Sequence, residues 1–209
     1  MAVWRSVYLD IKEAELLADL AGVHDDLETI VAICDMLLKG VEIKDKPIDY
    51  TAYEALMSAA LVRYARIYSK GGVRERRIPK GMILSLSPEL LKKHEWFIEF
   101  RNKHIVRSIN AYEDNRVVAT LVPEERGPKA IADISVERRR LASLGNDKID
   151  DLKTLCQELL RHIDDLYEKE KIRVLEAAKK LPIEELYCQK QAVRPLPKDT
   201  DVKKPRKAK

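Results

Sequence analysis

Residues 146–181, NDKIDDLKTLCQELLRHIDDLYEKEKIRVLEAAKKL, contain neither glycine nor proline, and Ile149, Leu152, Leu155, Leu159, Ile163, Leu166, Glu170 and Val174 recur at steps of three and four. That spacing predicts one helix of about 35 residues. At about 1.5 Å per residue it crosses a whole small domain, and an apolar stripe of that length needs other helices to cover it. The chain is therefore expected to be mainly α, a helical bundle with a long C-terminal helix.

Upstream segments supply the partners. Val3, Val7, Ile11, Ala14, Leu17 and Ala18 predict a first helix over about 3–21, stopped by Gly22. A second runs from about Asp25 to Leu38, with the acidic HDD at its positive end and Gly40 beyond its last turn. In a third, Tyr53, Leu56, Met57, Ala60, Leu61, Tyr64 and Tyr68 share a face, and KGGVRERRIPKG breaks it. SPEL opens a fourth, with Ser87 as N-cap, Pro88 at the first helical position and Glu89 in the first turn.

After Asn115 the period changes. RVVATLV and AIADISV are β-branched, alternating runs on either side of PEERGPK, which predicts a protruding hairpin over about 116–137. A lone two-stranded ribbon is marginal in water, so it must lean on the body or on a partner. The chain carries a net charge of +4, but residues 190–209 hold eight Lys/Arg against two Asp, a net of +6, which leaves −2 for residues 1–189. That proline-rich basic tail is expected to be disordered, either solubilising the chain or gripping nucleic acid weakly. Residues 1–189 form the one main domain.

No run approaches the ~18 uncharged apolar residues of a membrane span, and Asp10, Lys12 and Glu13 interrupt the start before a signal-peptide core develops, so a cytoplasmic protein without membrane partners is expected. Cys34, Cys156 and Cys188 lack metal-ligand spacing and suit free thiols. No phosphate-cradling glycine loop is present, and neither a metal nor a cofactor is expected.

The fourth helix carries the chemistry. Its apolar face runs through Leu90, Leu91, Phe97, Ile98 and Ile105, and His94, Arg101 and His104 fall on the same stripe. A guanidinium directed at a core is costly unless it is paired or opens onto water. Arg101 either satisfies backbone carbonyls at a helix end, with His104 as a capping donor, or lines a cleft. There it would grip phosphate while the imidazole moves a proton. Arg63, Arg66 and Arg74 on the third-helix segment either add positive charge to that cleft or form a solvated face.

FRNKHIVRSINAYEDN (100–115), after SPELLKKHEWF and before a hairpin, resembles the signature segment of HEPN-fold proteins, particularly bacterial relatives of abortive-infection proteins. ALVRYARIYSKGGVR and VHDDLETIVAICDMLL are similar to the same relatives, so the resemblance extends over about residues 15–180. It implies an α-helical domain, a homodimer with both motifs in one cleft, and metal-independent RNA cleavage in a phage-defence or toxin–antitoxin role. The family motif is Arg, a polar residue, then a few residues ending in His. Arg101 matches the Arg and Asn102 the polar residue, but where the family segment reads like IAHS this chain has IVRS, with Arg107 at the His position.

Arg stays protonated and cannot move protons near neutral pH, so Arg107 binds phosphate at most. The expectation is an RNA-interacting module with a degenerate ribonuclease motif, contacting phosphate through Arg101, Asn102 and Arg107. Two alternatives stay open. One is an active endoribonuclease using Arg101 and His104 as its catalytic pair, and the other is a helical module that only binds a cognate protein partner.

Overall fold

The computed structural model describes residues 5–40, 50–68, 83, 85–105, 114–139 and 144–192. In chain order these form α1 (Lys12–Lys39), α2 (Tyr50–Tyr68), α3 (Pro88–Phe100), a π-helical turn (Arg101–Ile105), β1 (Asp114–Leu121), a short 3-10 turn, β2 (Ile131–Arg139), α4 (Asn146–Ala178) and α5 (Ile183–Cys188). The mainly α architecture, the hairpin and the long C-terminal helix follow the sequence expectation.

Side-chain pairs fix how the helices run. Lys153 bonds Asp35 at 2.7 Å and His24 approaches Asp164 at 3.2 Å, eleven residues back along α1 and eleven on along α4, so these helices are antiparallel. Tyr53 Oη donates to Leu37 O at 2.8 Å, while Arg63 reaches back to Asp26, so α2 is antiparallel to α1. Lys93 bonds Asp151 and Lys148 lies over the Trp96 ring, so α3 is antiparallel to α4. The result is an up-and-down bundle whose core includes Leu27, Ile30, Leu61, Tyr64, Phe97, Leu152, Leu155 and Leu159, all fully buried. Towards Lys12 and Ala178, α1 and α4 continue past the end of α2, since Tyr68 ends α2 across from the middle of α1.

Three boundaries differ from the sequence reading. Gly22 does not stop the first helix, because α1 passes through it with Leu20, Val23 and Leu27 buried on either side. The ~1 kcal/mol cost of a helical glycine is outweighed by the burial of such a row. Residues 5–11 are not helical; there Arg5 donates to the Tyr187 and Gln189 carbonyls and Ser6 O accepts from Ala192 N at 2.8 Å. The C-terminal helix ends at Ala178, and α5 begins after Pro182.

The hairpin lies within two residues of its expected limits at each end. β1 and β2 are antiparallel, pairing Val117 with Val136, Ala119 with Ile134 and, past a register shift, Leu121 with Ile131. Gly127, at φ 143°, takes a backbone conformation in the turn that favours glycine. No described helix is long and apolar enough to cross a membrane.

Candidate functional site

Ser87 caps α3 by accepting from Leu90 N at 3.3 Å, with Pro88 in the first turn and Glu89 near the dipole, as the sequence predicts. Trp96 stacks on Phe100 with centroids 4.9 Å apart, Lys148 covers the indole at 5.2 Å, and Lys93 bridges Glu89 and Asp151. Burial alone would raise the Asp151 carboxyl, but hydrogen bonds from Lys93 and Lys148 outweigh it and hold it below the usual range. These contacts anchor α3 up to Phe100, where the geometry changes.

Arg101–Ile105 form a π-helical turn, one residue wider than an α turn and a feature frequent at functional sites. Arg101 is half-buried, with Nε sealed from solvent and lacking a hydrogen-bond acceptor among the described residues. Its Nη1 donates to Asn102 Oδ1 at 3.0 Å. No carboxylate pairs with it among the described residues, and Lys103 beside it is already bound to Glu99. His104 packs its ring on Phe100, centroids 4.7 Å apart. Its Nδ1 is sealed from solvent.

The turn thus brings together Arg101, Asn102 and His104, while Arg107 and Arg74 lie outside the described residues. The arrangement offers a cation steered by a neutral amide, with an imidazole one turn further on. Such a set can grip a phosphate through the Nη groups of the guanidinium.

His94 is not part of it. Its Nδ1 shares a 2.7 Å hydrogen bond with Tyr64 Oη and its ring meets that of Tyr68 edge-on at 4.6 Å. Burial pushes its pKa below the ordinary histidine value, with Glu95 opposing weakly, so the ring belongs to an aromatic core cluster in its neutral form.

Arg63 and Arg66 neither enlarge the site nor form a free solvated face. Both bind Asp26 on α1, Arg63 Nη1 to Oδ1 at 3.0 Å and Arg66 Nε to Oδ2 at 2.7 Å. Asp26 is only 1% exposed, and its hydrogen bond raises the Arg66 guanidinium pKa further. Sequence reasoning missed this cluster although the signal was present. Asp26 stands three after Val23 and four before Ile30, inside the apolar stripe of its helix.

The cysteines are free, Cys34 and Cys156 buried and Cys188 exposed. Burial pushes the Cys34 thiol up to about 12 and Cys156 well above its usual value, which makes both poor nucleophiles. Among the described residues no cluster of His, Cys, Asp and Glu could hold a metal ion.

No family model, no curated protein and no solved structure matches this chain.

Proposed function

We propose that the chain is a cytoplasmic RNA-binding module of the HEPN type, working in a defence or toxin–antitoxin setting, which grips phosphate through Arg101 and cleaves RNA poorly or not at all. The observation that carries this reading is the Arg101 side chain: half-buried on a π-helical turn, oriented by Asn102 and matched by no carboxylate among the described residues. Its charge remains available to an anion. Proton transfer is poorly served, because Arg107 stands where the resembling family keeps its motif imidazole and His104 leans its ring on Phe100.

The test is anisotropy titration of labelled tRNA and total RNA in EDTA, with gels of the same mixtures. A charged hydrogen bond of about 1.5–3 kcal/mol corresponds to roughly a 10- to 100-fold loss of affinity in Arg101→Ala, with a salt dependence shallower by about one ion. EDTA-resistant cleavage by the wild type, lost in His104→Ala, would overturn the binding-only reading and make His104 the proton-transfer group. A protein-binding role is the second reading, favoured by the apolar hairpin face described below.

A further inference from the structure

The hairpin is amphipathic, and its apolar side faces water. Side chains of cross-strand partners share a face, so Val117, Val136, Ala119, Ile134, Leu121 and Ile131 lie together, while Arg116 with Glu137, Val118 with Ser135 and Thr120 with Asp133 occupy the reverse. The five larger apolar side chains are 72% (Val117), 66% (Leu121), 63% (Ile131), 56% (Ile134) and 51% (Val136) exposed. No described helix packs over them. Together they expose on the order of 500 Å² of contiguous apolar surface, near the upper limit for a monomer. A two-stranded ribbon is too weak to maintain such a face uncovered.

The charge around this face restricts what covers it. Residues 114–139 carry five acidic and five basic side chains, net zero. Nucleic acid and anionic lipid both select for net positive charge, so neither suits this surface. The apolar side itself carries one charge, Arg138, opposite Asn115 at the base of the hairpin; two copies related by a two-fold axis with their strands antiparallel place the two arginines at opposite ends, and the small Ala119 leaves room among the larger side chains for those of the other copy. Two such faces bury on the order of 1,000 Å², the threshold for a specific though weak interface.

We propose that the apolar face of the hairpin is a self-association surface, and that two copies of this chain pack these faces together as a two-layer β-sandwich. The proposal is independent of the RNA reading, since it places the contact on the hairpin and not on Arg101.

The full-length protein is followed by light scattering over roughly a hundredfold range of concentration reaching hundreds of micromolar. The expected result is a concentration-dependent rise from 24.0 kDa towards twice that mass. Ile134→Arg should weaken association by about tenfold or more, whereas Ser135→Arg, on the reverse face, should leave it unchanged. Circular dichroism checks that both variants keep the helical content, which the hairpin does not supply. In a Cys188→Ser background, Ala119→Cys should form an intermolecular disulfide under mild oxidation much faster than Thr120→Cys. A monomer throughout would overturn the proposal. So would a dimer indifferent to Ile134→Arg, or equal trapping from both faces, which would indicate strands joined edge to edge.

Discussion

Asp26 and its two arginines allow a test in which the buried partner and the exposed partners give different answers. The carboxylate is 2% exposed as a side chain, while Arg63 and Arg66 are 36% and 48% exposed. Removing both arginines, in Arg63→Ala/Arg66→Ala, leaves a carboxylate inside the bundle without the two cations that bond it. That class of change costs about 3–5 kcal/mol. For a domain of this size each kcal/mol moves the melting temperature by about 2–4 °C, so the double variant should melt roughly 6–20 °C lower.

Removing Asp26 instead, in Asp26→Ala, lets both guanidinium groups turn into water. Only discounted hydrogen bonds and a small void are lost, about 1–2 kcal/mol. Combining the three as Asp26→Leu/Arg63→Ala/Arg66→Ala should recover most of the double variant's loss, since no charge is then left buried. Calorimetry and urea unfolding at neutral pH measure all three. If Asp26→Ala costs as much as the double arginine variant, or the triple variant shows no recovery, the buried-charge argument fails. RNA affinity of the folded double variant should match the wild type, unlike that of Arg101→Ala.

Two further outcomes follow from the bundle. The folded-state pKa of His94 is depressed, so on acidification from about pH 7 to pH 5 the unfolded chain takes up a proton that the folded ring refuses; stability should fall over that window by up to about 1.4 kcal/mol per pH unit and level off below the folded pKa. Melting curves of wild type and His94→Gln across that range isolate the effect, and parallel slopes would show that Tyr64 and Tyr68 do not enforce a neutral ring. Gly22 is a tolerated helical glycine and not a hinge, so Gly22→Ala should raise stability by about 0.5–1 kcal/mol, and a lower melting temperature would show that the position needs its missing side chain.

What could be read from the sequence was what short-range chemistry decides. The Ser87 cap, the hairpin limits and the stripe of α4 depend on residues within a turn or two of each other, and each lies where its local pattern placed it. Errors arose where distant contacts outvoted local ones. Gly22 reads as a stop because propensity is local, but the burial of Leu20, Val23 and Leu27 keeps α1 intact. Arg5 and Ser6 sit in a helical pattern, yet their hydrogen bonds go to residues 187–192, and 5–11 are not helical. At the site, the sequence put Arg101 and His104 on the core-facing stripe but offered no sign of the π-helical turn. A 3.6-residue projection cannot represent a locally wider helix.

The sequence also left open whether Arg101 is a structural arginine satisfying carbonyls at a helix end. Arg5 provides the comparison within this chain, because both of its Nη atoms donate to main-chain carbonyls where α5 finishes. Four others have acidic partners: Arg63 and Arg66 on Asp26, Arg161 on Glu158, Arg173 on Glu170. Arg101 follows neither pattern. Its assigned bond goes to the amide oxygen of the next residue, which aims the guanidinium without neutralising it. A structural arginine is satisfied when the chain folds, whereas Arg101 keeps an Nε without an acceptor and a charge that no carboxylate matches among the described residues. Arg101→Lys separates the two. It keeps the charge but not the planar fork, so a carbonyl-capping role would show as lost stability with RNA binding intact, and a phosphate-gripping role as weakened RNA binding at unchanged melting temperature.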